Sequence, residues 1–157
     1  MTGRGEDLYG VLRHVRPIVL ASARAVEARA NAAGWTVGSR AVVETLHELG
    51  PATVPHIAAH LDLARQNVQR QVDELVALHH VAAHPNPAHR RSVLVGLTPA
   101  GRRAFESLHA REVEELEAIA PECTDAEIAT TTKVLAALVR DIRSTAAQRQ
   151  EGHRERR

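Results

Sequence analysis

Polar and cationic side chains crowd one short stretch of the chain, residues 63–78. They are Arg65, Gln66, Asn67, Gln69 and Arg70. Arginine can form paired hydrogen bonds with the edge of guanine, and Asn or Gln can do so with adenine. A solvated helix face normally mixes in Glu and Lys, whereas the next carboxylate along this stretch is Asp73. These residue types favour contact with nucleic-acid base edges, and a polar surface helix is the alternative.

The apolar residues of the same stretch predict the element that carries these side chains. Val68, Val72, Leu75 and Val76 follow the i, i+4, i+7, i+8 spacing of one helical stripe, which Leu78 closes. A shorter helix is predicted just before it, over residues 54–60, preceded by Thr53 and with Pro55 in its first turn. Two short helices joined by a tight turn, the second bearing the polar face, indicate a helix-turn-helix.

A β-hairpin with a basic tip is predicted directly after this motif. Residues 81–84 and 92–97 are short β-like runs, and the segment between them is rich in turn-forming residues. That segment ends in His89, Arg90 and Arg91. An exposed loop with two arginines can reach a minor groove or a phosphate, and a solvated hairpin tip is the alternative.

Composition supports a helical protein whose middle faces phosphates. The 157 residues are 44% hydrophobic but only 2% aromatic, so the core must be built from Leu, Val, Ile and Ala. Net charge is only +1, but residues 56–103 carry six Arg and six His against three acids. Residues 111–127 carry seven acids against one Arg. This distribution indicates that the basic middle is the part that meets nucleic acid.

Long helices are predicted on both sides of this middle region. The first runs to about residue 33 after a loose start over residues 1–6, with a bend or restart expected at Pro17. A second helix over residues 37–49 is capped by Thr36.

Two further helices are predicted near the C-terminus. One begins at Thr98-Pro99 and ends at Pro121, and the last begins at a capping box over residues 124–127. A seam spaced by threes and fours favours a coiled-coil-like contact for the last helix. Its members are Ile128, Thr131, Leu135, Leu138 and Ile142.

The predicted fold is mainly α with a small β-hairpin wing, a winged helix-turn-helix whose N- and C-terminal helices form a dimerisation domain. The division is residues 7–35 and 99–147 for dimerisation, 36–98 for DNA binding and 148–157 for a flexible tail, polar from Ala146 onwards.

On these residues the sequence resembles the MarR family of winged-helix transcriptional regulators. The resemblance is most specific over residues 61–70, similar to the family's entry into the recognition helix, and 90–101, similar to its wing strand and next helix. It implies an obligate homodimer with each recognition helix in a major groove and each wing at a minor groove. It also implies that the five polar residues named first face DNA and that Arg91 is the wing-tip arginine.

Two positions depart from the family's pattern. His89 stands where the family usually has an acidic residue that holds the wing arginine, so wing geometry is expected to depend on pH. Ala64 stands where Ser or Thr often caps the recognition helix, so Asp62 or a water must satisfy the first amides.

Other chemistry was weighed for the remaining polar residues. The resemblance implies an effector pocket where the first, second and fifth helices meet, and four residues are candidates for its lining, namely His14, Trp35, Arg40 and His47. His56 and His60 have the i, i+4 spacing of two zinc ligands but lack a third nearby, and His79, His80 and His84 flank the hairpin. The single cysteine, Cys123, precedes a capped helix, so redox sensing is weighed against inert packing.

These observations predict a homodimeric, sequence-specific DNA-binding regulator, a repressor released by a small aromatic or anionic ligand. Its predicted site is pseudo-palindromic double-stranded DNA. A protein-docking winged helix, or a metal- or redox-responsive regulator using His or Cys123, is the alternative. An enzyme is disfavoured, because the sequence contains no Gly-rich phosphate loop, nucleophile elbow or CxxC. We expect no cofactor, no resident metal and no membrane partner. A cytoplasmic location is expected, since no signal-peptide core and no run of about 18 apolar residues occurs.

Overall fold

A computed structural model describes residues 3–89 and 91–154. The chain divides into two compact units, Met1–Glu112 and Val113–Arg157. The elements in order are α1 (Arg4–Ala32), α2 (Val37–Leu49), α3 (Val54–Leu61), α4 (Arg65–Ala77), β1 (Val81–Pro85), β2 (Val93–Leu97), α5 (Pro99–Leu116) and α6 (Asp125–Arg154). The first unit contains every element up to Glu112 in α5, and the second contains the end of α5 and α6. This order confirms the predicted mainly α fold with one β-hairpin.

The core of the first unit is aliphatic, as the composition predicts. It is built mainly from α2, α3 and α4, with further side chains from both strands and α5. Its fully buried members include Trp35, Leu46, Ile57 and Leu75. Burying an aliphatic side chain of this size stabilises the fold by about 1.5–3 kcal/mol, so this cluster fixes how the three short helices sit against one another.

Local capping explains where the helices of the helix-turn-helix begin and end. Thr36 and Ser39 form a reciprocal capping box at the start of α2, and the Thr53 hydroxyl accepts a hydrogen bond from the His56 amide at 3.3 Å. α3 ends at Asp62, which takes a left-handed conformation with φ of 55° and turns the chain toward α4. The backbone of Asp62 forms the turn, and its side chain makes no hydrogen bond to the first turn of α4, so of the two predicted partners for those amides Asp62 is not the one.

The hairpin pairs the two strands over their full length. Val81 lies opposite Leu97 and Pro85 opposite Val93, in antiparallel register. Ala52, in the link between α2 and α3, adds a bridge to Val95 through two backbone hydrogen bonds of 3.0 and 2.8 Å. The predicted strands are confirmed to within one residue, and this bridge attaches the wing to the helical core.

The first long helix is more continuous than the sequence predicts. α1 begins at Arg4, inside the stretch expected to be loose, and Glu6 and Asp7 in its first turn favour that start by complementing the helix dipole. The restart expected at Pro17 is wrong, because the helix runs through it without a break. A proline removes only one donor from a helix, and the other backbone groups of this long helix keep their bonds.

The last two helices also differ from prediction at their ends. α5 ends at Leu116 rather than at Pro121, and no basic residue in its last turn balances the C-terminal end of the dipole there. α6 continues to Arg154, past Ala146 where a frayed tail was expected, because Ala, Gln, Arg and Glu dominate that stretch and favour helix. Among the helices described here, none combines the length and apolar character needed to cross a lipid bilayer.

Candidate nucleic-acid interface

The buried face of α4 contains most, but not all, of the residues that the sequence predicted for it. Val68, Val72 and Leu75 are buried, as expected, but Val76 and Leu78 are each 42% exposed. Gln71 takes their place in the core and completes an i, i+3, i+4, i+7 stripe. The apolar pattern alone missed a polar residue on the inner face of this helix.

The outer face of α4 carries every polar residue predicted to face DNA. Arg65, Gln66, Asn67, Gln69 and Arg70 are all exposed. The Gln69 amide donates a hydrogen bond to the Asp73 carboxylate at 2.8 Å. The other four form no hydrogen bond or ion pair with any residue that the structure describes. Their donors and acceptors are therefore available to a ligand.

The start of α4 is open as well. Ala64 precedes the helix with no side-chain hydrogen bond to its first turn, so that turn keeps free backbone amides. Free amides at a helix N-terminus attract phosphate oxygens. A helix with its side chains is about 10–12 Å across, which matches a major groove about 12 Å wide. The arrangement suits a helix that is inserted into such a groove.

Two residues that the sequence analysis did not single out tie the wing loop together. The Asn86 side chain donates a hydrogen bond to the Ser92 hydroxyl at 2.7 Å and accepts one from the Ala88 amide at 3.0 Å. The Ser92 hydroxyl in turn donates to the His89 carbonyl at 3.1 Å. An Asn before Pro is a strong signal for such a side-chain turn. These bonds close the loop at its base.

The tip of the wing presents the predicted cation. Arg91 is exposed and forms no hydrogen bond or ion pair with the rest of the described chain. His89 is exposed and contributes backbone bonds to the loop, and no hydrogen bond joins its imidazole to Arg91. Arg90 lies outside the described residues. His89, which stands where the family usually has an acidic residue, therefore does not hold the Arg91 side chain in place.

A hydrogen-bonded junction joins the end of α4, the wing and α5. The Trp35 indole donates a hydrogen bond to Nδ1 of His80 at 2.9 Å. The Thr98 hydroxyl donates to the His79 carbonyl at 2.7 Å, and the Thr98 amide donates to the His80 carbonyl at 3.0 Å. The same hydroxyl accepts from the Gly101 amide at 3.0 Å and so caps α5. Both ends of the hairpin, next to His80 and at Thr98, are therefore anchored.

The four residues proposed to line an effector pocket are not joined to one another. No hydrogen bond, ion pair or ring contact links any two of His14, Trp35, Arg40 and His47 in the described structure. His14 is exposed, and Trp35 is only 1% exposed as part of the core. The sequence placed Trp35 in a pocket, whereas its indole is used in the junction.

Arg40 and His47 each face α5. The guanidinium of Arg40 bonds Glu44 at 3.0 Å and Glu112 at 2.6 Å, with the Arg40 and Glu112 side chains only 16% and 12% exposed. The His47 ring lies 4.6 Å from that of Phe105, centroid to centroid. Two carboxylates are thus already bound to the Arg40 guanidinium, the group that was expected to bind an anionic effector.

The histidines and the cysteine with possible metal or redox chemistry are not gathered into one site. No group of three His, Cys, Asp or Glu that could hold a metal ion occurs among the described residues. His56 is exposed and His60 is half-buried on α3. Cys123 is exposed in the second unit.

Comparison with known proteins identifies the family. The sequence model of the MarR family matches residues 39–92, from α2 to the wing. An uncharacterized protein of Mycobacterium tuberculosis is 33% identical over 107 residues, which cover 68% of this chain and 67% of that protein.

Solved structures share the same fold. The crystal structure of a MarR family transcription regulator is 30% identical to this chain with a TM-score of 0.75, and the match covers 91% of this chain and 95% of that one. A mutant MarR from Escherichia coli, solved with operator DNA, has a TM-score of 0.67 at 21% identity and shows the fold alone; the match covers 87% of this chain and 99% of that one. Because the first of these structures is 30% identical to this chain and the match covers 91% of it, the chain belongs to the MarR family of transcription regulators.

Proposed function

We propose that the protein binds specific double-stranded DNA through α4, which lies in a major groove and reads base edges. The observation that carries this proposal is the outer face of α4, where Arg65, Gln66, Asn67 and Arg70 are exposed and have no partner in the described structure. Free guanidinium and amide groups on one helix face can form the paired hydrogen bonds that distinguish G·C from A·T. The mutant Escherichia coli MarR with the same fold was solved with operator DNA, which supports this use of the fold.

The wing supplies a second contact. Arg91 projects from a loop closed by Asn86 and Ser92, and a cation held on such a loop can enter a minor groove or contact a phosphate. His89 and Arg90 are proposed to contribute to the same contact. Affinity then depends on both elements, and sequence preference depends mainly on α4.

We propose that the protein acts as a homodimer. α1 leaves Tyr9, Ile18 and Leu20 about two-thirds exposed, and α6 leaves Ile128 and Ile142 about half exposed. Exposed apolar side chains of this kind on helices favour burial against a second copy. A two-fold dimer reads a pseudo-palindromic site with half-sites about one helical turn, roughly 10 base pairs, apart.

We further propose that it is a repressor that a small aromatic or anionic effector releases from DNA. Buried Nε of Arg40 has no hydrogen-bond partner in the described structure, and His14, Trp35 and His47 are the other proposed contacts. An anion at Arg40 must displace Glu112 from the guanidinium. Such displacement gives the effector a differential affinity for two states of the dimer, which is what release by population shift requires. Titrating salicylate, a small aromatic anion, against the protein–DNA complex tests this, and unchanged DNA affinity at saturating salicylate counts against it.

A selection experiment tests the DNA proposal directly. The wild-type protein is incubated with a random duplex library, enriched sequences are read, and the affinity for the enriched duplex is measured across a salt series. We expect a pseudo-palindrome, with log affinity falling steeply against log salt as counterions are released.

Single variants assign the roles of the two elements. Arg70→Ala is expected to weaken binding by about 1–3 kcal/mol and to relax the preference at one base pair. Arg91→Ala is expected to weaken binding to all duplexes and to reduce the salt slope by about one. Lys133→Ala, which removes one exposed positive charge from α6, is the matched control and leaves binding unchanged. Full binding by both arginine variants contradicts the site, and a wild type that enriches no duplex favours the protein-docking alternative.

A further inference from the structure

Gln71 is a polar residue in an apolar position. It lies on the inner face of α4, directly after Arg70, and is only 9% exposed among Val68, Val72 and Leu75. Its Oε1 atom is buried and has no hydrogen-bond partner in the described structure. A buried amide oxygen without a partner is unfavourable compared with an apolar side chain of the same size. Stability alone therefore does not explain why glutamine is found at this position.

The Gln71 amide rests on Gly38 in the first turn of α2. A Cβ added at Gly38 would overlap Nε2 of Gln71 and would lie 2.8 Å from its Cδ. The planar edge of an amide can occupy the space that the missing Cβ leaves, whereas a branched or tetrahedral group is thicker. At this point of α2 the missing side chain at position 38 leaves the space that the Gln71 amide occupies.

The α2 side of this contact is the more firmly held one. The first turn of α2 is fixed by the Ser39 amide donating to the Thr36 hydroxyl at 3.0 Å and by the Thr36 amide donating to the Ser39 hydroxyl at 2.8 Å. On the other side, the Gln71 amide is the far end of a flexible side chain that is only 9% exposed. Added bulk at position 38 therefore moves this amide, and it moves α4 as well to the extent that the packed core leaves the amide no other position.

We propose that the Gly38–Gln71 contact is the positioning element that sets the tilt and depth of α4 for sequence reading. The inference rests on the proposed function, since it assigns a cause to the geometry with which α4 meets base edges. Base contacts need side chains placed to within about half an ångström, whereas phosphate contacts tolerate displacement because they are dominated by charge. A displaced α4 therefore loses discrimination between sequences before it loses affinity for DNA.

The test compares Gly38→Ala, Gln71→Ala and the double variant with the wild-type protein. The probes are a fluorescein-labelled duplex that the wild type enriches from a random library and a scrambled duplex of the same composition. The readout is the dissociation constant for the scrambled duplex divided by that for the enriched duplex, both measured by fluorescence anisotropy. Thermal melting of each variant accompanies this measurement. Gly5→Ala is the matched control, because that glycine is in the exposed first turn of α1 with nothing within 4 Å of an added Cβ.

We expect Gly38→Ala to lower the ratio by about tenfold and to leave binding to the scrambled duplex nearly unchanged. In the Gln71→Ala background the same substitution has no further effect, because the amide it would meet is gone; the two changes are therefore strongly non-additive. Gly5→Ala leaves the ratio at its wild-type value.

Two results overturn the inference while leaving the proposed function intact. One is a folded Gly38→Ala protein with an unchanged ratio, and the other is a Gly38→Ala effect of equal size in both backgrounds. If Gly38→Ala does not fold, a double variant that folds and binds like Gln71→Ala supports the contact, and one that also fails to fold overturns it. A wild type that enriches no duplex removes the proposed function, and the inference with it.

Discussion

Replacing Gly101 by alanine is expected to destabilise the junction between α4 and α5. A Cβ at this position would overlap the carbonyl oxygen of His80 and would lie 2.8 Å from its carbonyl carbon and 3.0 Å from its Cα. These are backbone atoms, so no side-chain rotation relieves the contact. The same carbonyl accepts a hydrogen bond from the Thr98 amide at 3.0 Å, so α5 must move away and lose that bond.

The size of the effect follows from three contributions. Forcing extra volume into a packed contact costs about 1–3 kcal/mol, and the lost backbone hydrogen bond costs about 1 kcal/mol more. Alanine is a better helix former than glycine by about 1 kcal/mol, which offsets part of this. The net destabilisation is about 2 kcal/mol, which lowers the melting temperature of a chain of this length by about 4–8 °C.

Thermal melting followed by circular dichroism, at one protein concentration for all samples, measures this change. Gly5→Ala again serves as the control, and its melting temperature is expected to equal or exceed that of the wild type, since only the helix-forming contribution applies there. A Gly101→Ala protein that melts with the wild type would refute the reasoning, because it would show that the backbone around His80 yields without loss.

Two further predictions concern the wing and the last helix. Asn86→Ala removes both side-chain bonds at the base of the wing, so we expect the Ala88 amide to exchange with solvent faster; unchanged exchange would mean that the loop is held by its backbone alone. In α6, hydrogen bonds from the Thr124 hydroxyl and amide lower the pKa of Glu127 below its ordinary value. This capping contribution is therefore full above the ordinary glutamate pKa and is lost as pH falls through the lowered one. In a carboxyl titration followed by NMR, Thr124→Ala should return the pKa of Glu127 toward its ordinary value, and identical titrations in the two proteins would exclude the Thr124 hydroxyl bond as the cause.

Features set by neighbouring residues were predictable from the sequence. The caps at Thr36, Thr53 and Thr124 depend on residues three positions apart, and the structure forms all three. The hairpin follows from two β-like runs around a turn-rich segment, and the exposed face of α4 follows from its helical period. In each case the physical cause lies within one or two turns of chain.

Features set by distant residues were not predictable in this way. Gln71 is buried because Gly38, on another helix, leaves space for it, and no periodicity of apolar residues indicates that space. Arg40 was expected to be available to an anion, but Glu112 reaches it from α5, 72 positions along the chain. The exposed polar face of α4 was therefore predictable from the sequence, and the residues packed behind that face were not.

The bond between Trp35 and His80 has a practical consequence for solution studies. Trp35 is the only tryptophan in the chain, and its indole is hydrogen-bonded to His80, which lies between α4 and β1. Any event that separates the two rings alters the polarity around the indole, to which its emission is sensitive. Tryptophan emission therefore reports on the contact between Trp35 and His80 without any attached dye.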